Sequence, residues 1–248
     1  MVRRRPREGA PGLFCFAHSG GSAGEFARWA AELPDVEIRA VQLPGRGTRI
    51  DEPVLTDMRT LVTAIVDEVS FEGRFAFFGH SLGALVAYEV ARELRRRGSP
   101  GPERLFLSAC PAPHLRRSLP PIRQLDDTEM LAAISGRYGT LPADIAEDPE
   151  LLRLVMVPHR ADFTIVETYG HTSGEPLSVP LHLVAGAADR VTAEQLEAWR
   201  EHSRGPVDVR WLPGGHFYLR EQRAALLAHV RDLLAPVPGP GGAPEGAA

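Results

Sequence analysis

The 248-residue sequence predicts an α/β fold, with a mostly parallel sheet carrying helices on both faces. Three observations point there. Short apolar runs suited to buried strands alternate with longer helical patterns, as strands joined by helical crossovers do. At Phe77-Phe78-Gly79-His80-Ser81-Leu82-Gly83 an apolar strand runs directly into a helix. A single long stretch of purely helical pattern interrupts the alternation, which then resumes. The chain is long enough for one full core, and without an internal repeat it reads as one domain.

The elements follow in order. Residues 1–12 are charged and Pro/Gly-rich and are expected to form a flexible tail. Leu13 to Phe16 is a strand ending in a glycine-rich loop, Ala17 to Gly24, and a helical stretch runs from Glu25 to Glu32. The loop carries neither the Gly-x-x-x-x-Gly-Lys of a P-loop nor a Gly-x-Gly-x-x-Gly fingerprint, so a phosphate cradle is disfavoured. Val36 to Val41 is a strand, Gln42 to Gly47 a turn-rich loop and Met58 to Val69 a helix. Phe75 to Phe78 is the next strand, and Leu82 to Arg97 a helix whose end carries Arg92, Arg95, Arg96 and Arg97, charge well placed near a helix C-terminus. Leu105 to Ala109 is a further strand.

From Pro111 to about Pro176 only helical patterns occur: Thr128 to Tyr138, Asp148 to Ala161, and Phe163 to Tyr169. That length exceeds a simple crossover and predicts a helical lid inserted at about 112–176. Its apolar positions, Met130, Leu131, Ile134, Leu151, Leu152 and Val155, either line a pocket or pack the lid onto the core. The alternation resumes with a strand Leu181 to Ala185, a helix Ala193 to His202, a strand Val207 to Leu212 and a helix Glu221 to Leu234. The domain is therefore placed at 13–235, and residues 236–248 form a Pro/Gly/Ala tail expected to be disordered.

Composition excludes several classes. A net charge of −4, with no basic stripe studded by aromatics, argues against nucleic-acid binding. No apolar run is long enough to span a bilayer, and the basic N-terminus leads into no signal-peptide core, so a cytoplasmic protein without a membrane partner is expected. Cys15 and Cys110 lie in strand-like apolar segments, predicting free buried thiols, and neither has metal-ligand spacing.

The chemistry starts at Gly79-His80-Ser81-Leu82-Gly83. A Gly-x-Ser-x-Gly between strand and helix is the pattern of a nucleophile elbow, a turn so tight that only glycines fit beside the serine. A serine hydroxyl needs a neighbouring base. Of nine histidines, His216 sits in Pro213-Gly214-Gly215-His216-Phe217, between the last strand and the last helix, at the sheet edge where α/β sites form. It also satisfies the order Ser…Asp…His. His80 adjoins Ser81 and is expected to point to another side of the turn. His182 lies in a strand, His229 in the last helix, and His114, His159 and His171 in the insertion; His18 is placed to line the site. The acid is Asp189, in the loop that ends Leu183-Val184-Ala185-Gly186-Ala187-Ala188-Asp189, where it would hold the imidazole tautomer. Glu194 reads as a first-turn helix residue and Asp208 as structural, and Cys110-Pro111-Ala112-Pro113 offers no carboxylate. The backbone N–H groups of Ser19 and Leu82 are the candidate oxyanion hole. These parts describe acyl transfer through an acyl-Ser81 intermediate.

Several motifs carry a resemblance over about Leu13 to Leu234. They are His18-Ser19-Gly20-Gly21-Ser22-Ala23, Gln42-Leu43-Pro44-Gly45-Arg46, Gly79-His80-Ser81-Leu82-Gly83, Arg160-Ala161-Asp162-Phe163, Glu167-Thr168-Tyr169 and Gly215-His216-Phe217, together with the lid segment from Leu141 to Tyr169. In these the sequence resembles the type II thioesterases, the free-standing editing enzymes of polyketide synthases and nonribosomal peptide synthetases. The resemblance implies an α/β-hydrolase fold with a mobile helical lid, no cofactor, no metal, and a monomer. It also implies hydrolysis of acyl groups from the phosphopantetheine thioester of acyl or peptidyl carrier proteins. The acid loop departs from the family pattern by lacking an extra upstream aspartate and by being a residue short after Asp189, and Ser19 stands where alanine is common. A carboxylesterase, an acyltransferase or cyclase, and a non-catalytic binding protein remain alternatives. Arg92, Arg95, Arg116 and Arg117 read as solvated surface, with steering of acidic carrier proteins as the sharper alternative.

Overall fold

Alternation of side chains along the strands decides the layering. In a computed structural model, which describes residues 9–115, 119–139, 145 and 147–235, strand β1 (Gly12–Phe16) turns Leu13 and Cys15 to one face of the sheet and Phe14 and Phe16 to the other. Strand β3 (Phe75–His80) divides likewise, Ala76 and Phe78 against Phe75 and Phe77. With β2 (Glu37–Ala40), β4 (Leu105–Ser108), β5 (Leu181–Gly186) and β6 (Val207–Leu212), the described residues form a six-stranded sheet in the order β2-β1-β3-β4-β5-β6. Every pairing is parallel. Because β3 is buried on both faces, it reads as a continuous apolar run rather than an alternating one.

Helices α2 (Met58–Glu68), α3 (Leu82–Arg96) and α6 (Ala193–Glu197) cover one face, and α1 (Trp29–Glu32), α7 (Tyr218–Glu221) and α8 (Arg223–Leu234) the other. Burial of one large apolar side chain on such a face is worth ~1.5–3 kcal/mol. Cys15 and Cys110 are both buried, and neither is in a disulfide.

The insertion builds a core of its own. Helices α4 (Asp127–Tyr138) and α5 (Pro149–Thr168) share a cluster of Ile122, Met130, Leu131, Ile134, Met156 and Phe163, separate from the two sheet cores. Asp126 starts α4 through a reciprocal capping box with Glu129, while the Asp148 side chain caps α5 with Pro149 in its first turn. Met130, Leu131 and Ile134 thus pack the lid against itself. Leu151, Leu152 and Val155 are half-buried, and Leu154 and Val157 face solvent. Both ends of the insertion are tied down. At its start, Trp199 Nε1 donates to the Cys110 carbonyl at 2.9 Å, and His114 Nδ1 lies 2.6 Å from His202 Nε2. At its end, Arg92 donates to the Thr172 carbonyl at 2.6 Å and Arg95 to those of Glu175 and Pro176 at 2.7 and 2.9 Å. Arg92 and Arg95 therefore brace the returning chain instead of standing free; Arg116 and Arg117 lie outside the described residues.

Several boundaries differ from the sequence expectation. Gly12 already pairs in β1, so the strand begins one residue earlier than expected; the rest of the expected tails at 1–12 and 236–248 lies, but for residues 9–11, outside the described residues. The stretch from Glu25 to Glu32 is a 3-10 turn (Ala23–Phe26) followed by α1, and Ala193 to His202 is α6 followed by a 3-10 turn. The last helix starts at Arg223, preceded by α7. The two helices expected over Asp148 to Tyr169 are one, α5. Asp162, at the expected break, is buried and its carboxylate is taken by Arg46 and Gly20, so it does not compete for its own backbone. Pro158 lies inside α5 and cannot donate to the Leu154 carbonyl one turn back; Leu154 is itself exposed.

Candidate active site

Ser81 occupies the turn between β3 and α3 with φ 56° and ψ −117°, a conformation rare for a residue with a β-carbon. Its neighbours permit this. A β-carbon on Gly79 would lie 2.2 Å from the carbonyl oxygen of Gly83, and one on Gly83 would lie 2.1 Å from that of Phe16. Nothing but glycine fits at either flank. The Ser81 N–H donates to the Ser108 carbonyl at 2.8 Å, which anchors the turn to β4. Leu82, first residue of α3, presents an N–H with no partner inside the helix.

His216 and Asp189 come from the loops after β6 and β5. The loops interlock: Ala187 and Ala188 donate to the carbonyls of Leu212 and Gly214 at 2.8 and 2.9 Å, and a β-carbon on Gly186 would fall 2.2 Å from the Gly215 carbonyl oxygen. The acid loop delivers its carboxylate to the ring. His216 Nδ1 lies 3.1 and 3.0 Å from the two oxygens of Asp189, and the pair is nearly buried. A ring nitrogen bonded to a carboxylate there must be the donor, which leaves Nε2 free to act as acceptor.

His80 does point away from the cavity. Its Nδ1 meets Ser108 Oγ at 2.8 Å, and Ser108 Oγ meets the Tyr218 hydroxyl at 2.7 Å. Burial, with the nearby His216 and His18, pushes the His80 pKa well down, so this ring stays neutral behind the site. Asp208 pairs with His182 at 2.7 Å, the structural role expected of it, and Glu194 lies in the first turn of α6.

The cavity above Ser81 has two lobes, about 350 and 360 Å³, and Ser81, Tyr138, Phe163 and His216 border both. The first lobe adds His18, Ser19, His159 and Arg220, the second Pro111, Leu119, Val166 and Val191. His18 thus lines the site as expected, and Ile134 is the one predicted lid position that does so as well. Sequence reasoning left Tyr138, His159 and Phe163 without a role. Tyr138, at the end of α4, packs on His216 with ring centroids 4.8 Å apart. Phe163 belonged to a motif already noted, whereas nothing in the pattern around Tyr138 marked it. Among the described residues no group of three or more His, Cys, Asp or Glu is arranged to hold a metal ion, and no helix is long and apolar enough to cross a membrane.

The family model "Thioesterase domain" matches residues 11–234. Thioesterase PikA5 of Streptomyces venezuelae is 42% identical over 230 residues, covering 90% of this chain and 80% of the relative. The solved type II thioesterase BorB from the borrelidin biosynthetic cluster superposes with a TM-score of 0.84 at 36% identity, covering 94% of this chain and 96% of that one. RedJ, the thioesterase from the prodiginine pathway of Streptomyces coelicolor, gives 0.81 at 36% identity, with 90% of both chains covered. The parallel sheet, the elbow after β3 and the inserted helices are those of an α/β-hydrolase fold, and the chain belongs to the thioesterase domain family.

Proposed function

We propose that the chain is a type II editing thioesterase that releases acyl groups from the phosphopantetheine thioester of acyl or peptidyl carrier proteins in polyketide or nonribosomal peptide assembly. The reading rests above all on one observation: the His216–Asp189 pair and the strained Ser81 border the same two-lobed cavity.

His216 Nε2 takes the Ser81 proton as Oγ attacks the thioester carbonyl, while Asp189 holds Nδ1–H and stabilises the imidazolium. The tetrahedral oxyanion is received by the N–H groups of Ser19 and Leu82, the latter at the positive end of α3. Collapse breaks the C–S bond, and His216 returns the proton to the departing pantetheine thiolate. Water, deprotonated by His216, then attacks acyl-Ser81; collapse breaks the C–Oγ bond, His216 returns the proton to Ser81 Oγ, and the acid is released. The lobe lined by Pro111, Leu119, Val166 and Val191, with Arg137, Glu167 and Arg190 also on its wall, has room for an acyl chain, and at about 360 Å³ it stands at the small end of ligand pockets. The enzyme works as a cytoplasmic monomer without cofactor or metal.

The test is a hydrolysis panel of acyl-carrier proteins of graded chain length, run beside oxygen esters of the same acids. Preference for the carrier thioesters, lost in Ser81→Ala with carrier binding retained, is the expected result. Equal turnover of the oxygen esters would favour a carboxylesterase, and turnover by Ser81→Ala would refute the nucleophile.

A further inference from the structure

The loop that carries Ser19 is held by the lid. Gly20 donates its N–H to Asp162 Oδ2 on α5 at 2.7 Å, across 142 residues of sequence. The same carboxylate takes two N–H groups of Arg46, at 2.5 and 2.8 Å, and Arg46 Nη1 also reaches the Gly21 carbonyl at 3.4 Å. Both side chains are buried. Three residues earlier, on the same face of α5, the His159 ring lies over Gly20, where a β-carbon would fall 2.1 Å from Cε1. His159 Nδ1 donates to the Val155 carbonyl at 2.7 Å, which sets the plane of the ring. The far end of the loop is held by Gln42 Oε1, which accepts from Ala23 N–H at 3.1 Å.

A run of Ser19-Gly20-Gly21-Ser22-Ala23-Gly24 has little rigidity of its own, because each glycine leaves its backbone free to many conformations. The Ser19 N–H shares its peptide plane with the His18 carbonyl, which accepts from Gly21 N–H at 2.9 Å, and the Gly20 N–H lies in the next peptide plane, so with both planes held the φ and ψ of Ser19 between them have little freedom. Arg46 alone would neutralise Asp162. The additional bond from Gly20 is what connects the pair to the reacting centre, and the pair is neutral overall, so it brings no net negative charge toward a developing oxyanion.

We propose that Asp162 is a positioning residue. Together with His159 it orients the Ser19 N–H, so the oxyanion hole is complete only while α5 is docked on Arg46. Lid closure and assembly of the hole are then one event. This inference rests on the reading of Ser19 as an oxyanion donor.

The test replaces the pair by apolar residues, Arg46→Met with Asp162→Leu, since exchange of a buried ion pair for apolar side chains preserves folds. Four quantities are measured: melting temperature, kcat and KM on an acyl-carrier thioester, and the rate at which a fluorophosphonate labels Ser81. The expected result is a folded protein with KM within threefold of the parent. Its kcat and labelling rate should fall about 10²-fold, the scale of one lost oxyanion donor. A folded double variant with kcat and labelling within twofold of the parent overturns the proposal. Should the double variant not fold, Asp162→Asn decides. Its amide oxygen can still accept from Gly20 but more weakly than a carboxylate, so kcat should fall about three- to tenfold with KM unchanged, whereas kcat within twofold of the parent, with KM raised or not, overturns the proposal. If the parent itself leaves carrier thioesters intact, the functional reading fails, and the labelling rates still decide the positioning role.

Discussion

Gly83 lies so close to Phe16 that a β-carbon would come within 2.1 Å of the Phe16 carbonyl oxygen. The obstacle is backbone of the central sheet, which cannot swing aside as a side chain could. Gly83→Ala is therefore expected to push α3 off β1 and to cost at least ~1–3 kcal/mol, the usual range for overpacking. Urea unfolding monitored by circular dichroism measures it, and an unchanged midpoint with full activity would contradict the fit described for the elbow.

Asp189 works through both oxygens on one ring nitrogen. Asp189→Asn keeps size and shape, but its amide can donate to Nδ1 and so favour the wrong tautomer of His216. A fall in kcat of about 10⁴-fold, with the melting temperature within a few degrees of the parent, is expected from the same change in other serine hydrolases. Steady-state kinetics on any substrate the parent turns over checks this. A loss below tenfold would assign the orienting role elsewhere.

Ser108 joins two buried groups, His80 Nδ1 and the Tyr218 hydroxyl. Ser108→Ala leaves both without this partner, and an unpaired buried polar group costs ~1–3 kcal/mol. Tyr218→Phe removes one member along with its own need for a bond and should destabilise less. Denaturant midpoints of the two variants give the ranking directly, and the reverse order would show that the chain is not what satisfies His80.

Acid lability follows from the histidines. Burial, then His171, His114 and Arg92, push the His202 pKa from its ordinary 6.5 to about 4. Burial likewise lowers His80, His159, His171, His182 and His229. These rings are neutral when folded and protonate more readily when unfolded. The unfolded state then binds more protons, so stability rises with pH. It is complete above about pH 6.5 and declines as pH falls toward 4, the window set by the two His202 values. Melting temperatures across this range should show the slope, and His202→Gln should flatten part of it. A flat profile in the parent would mean that these rings are solvated.

The strands, the elbow and the order Ser81, Asp189, His216 were legible in the sequence because each depends on local chemistry. A buried parallel strand must be apolar, a strained serine must have glycines beside it, and a base carried on a β–α loop is announced by the elements around it. The long insertion was legible as helices for the same reason, through its apolar spacing and its caps. What the local pattern could not contain was the pairing of segments distant in the chain. Asp162 looked like a break in a helix because an aspartate in isolation competes for its own backbone; only the approach of Arg46 and Gly20 gives its carboxylate other partners and lets α5 run through. Arg92 and Arg95 looked like free surface charge until the returning lid segment presented its carbonyls to them. Tyr138 on His216, and the lid's hold on the Ser19 loop, were likewise decided by tertiary packing, since contacts between residues far apart in sequence leave no periodicity in either segment.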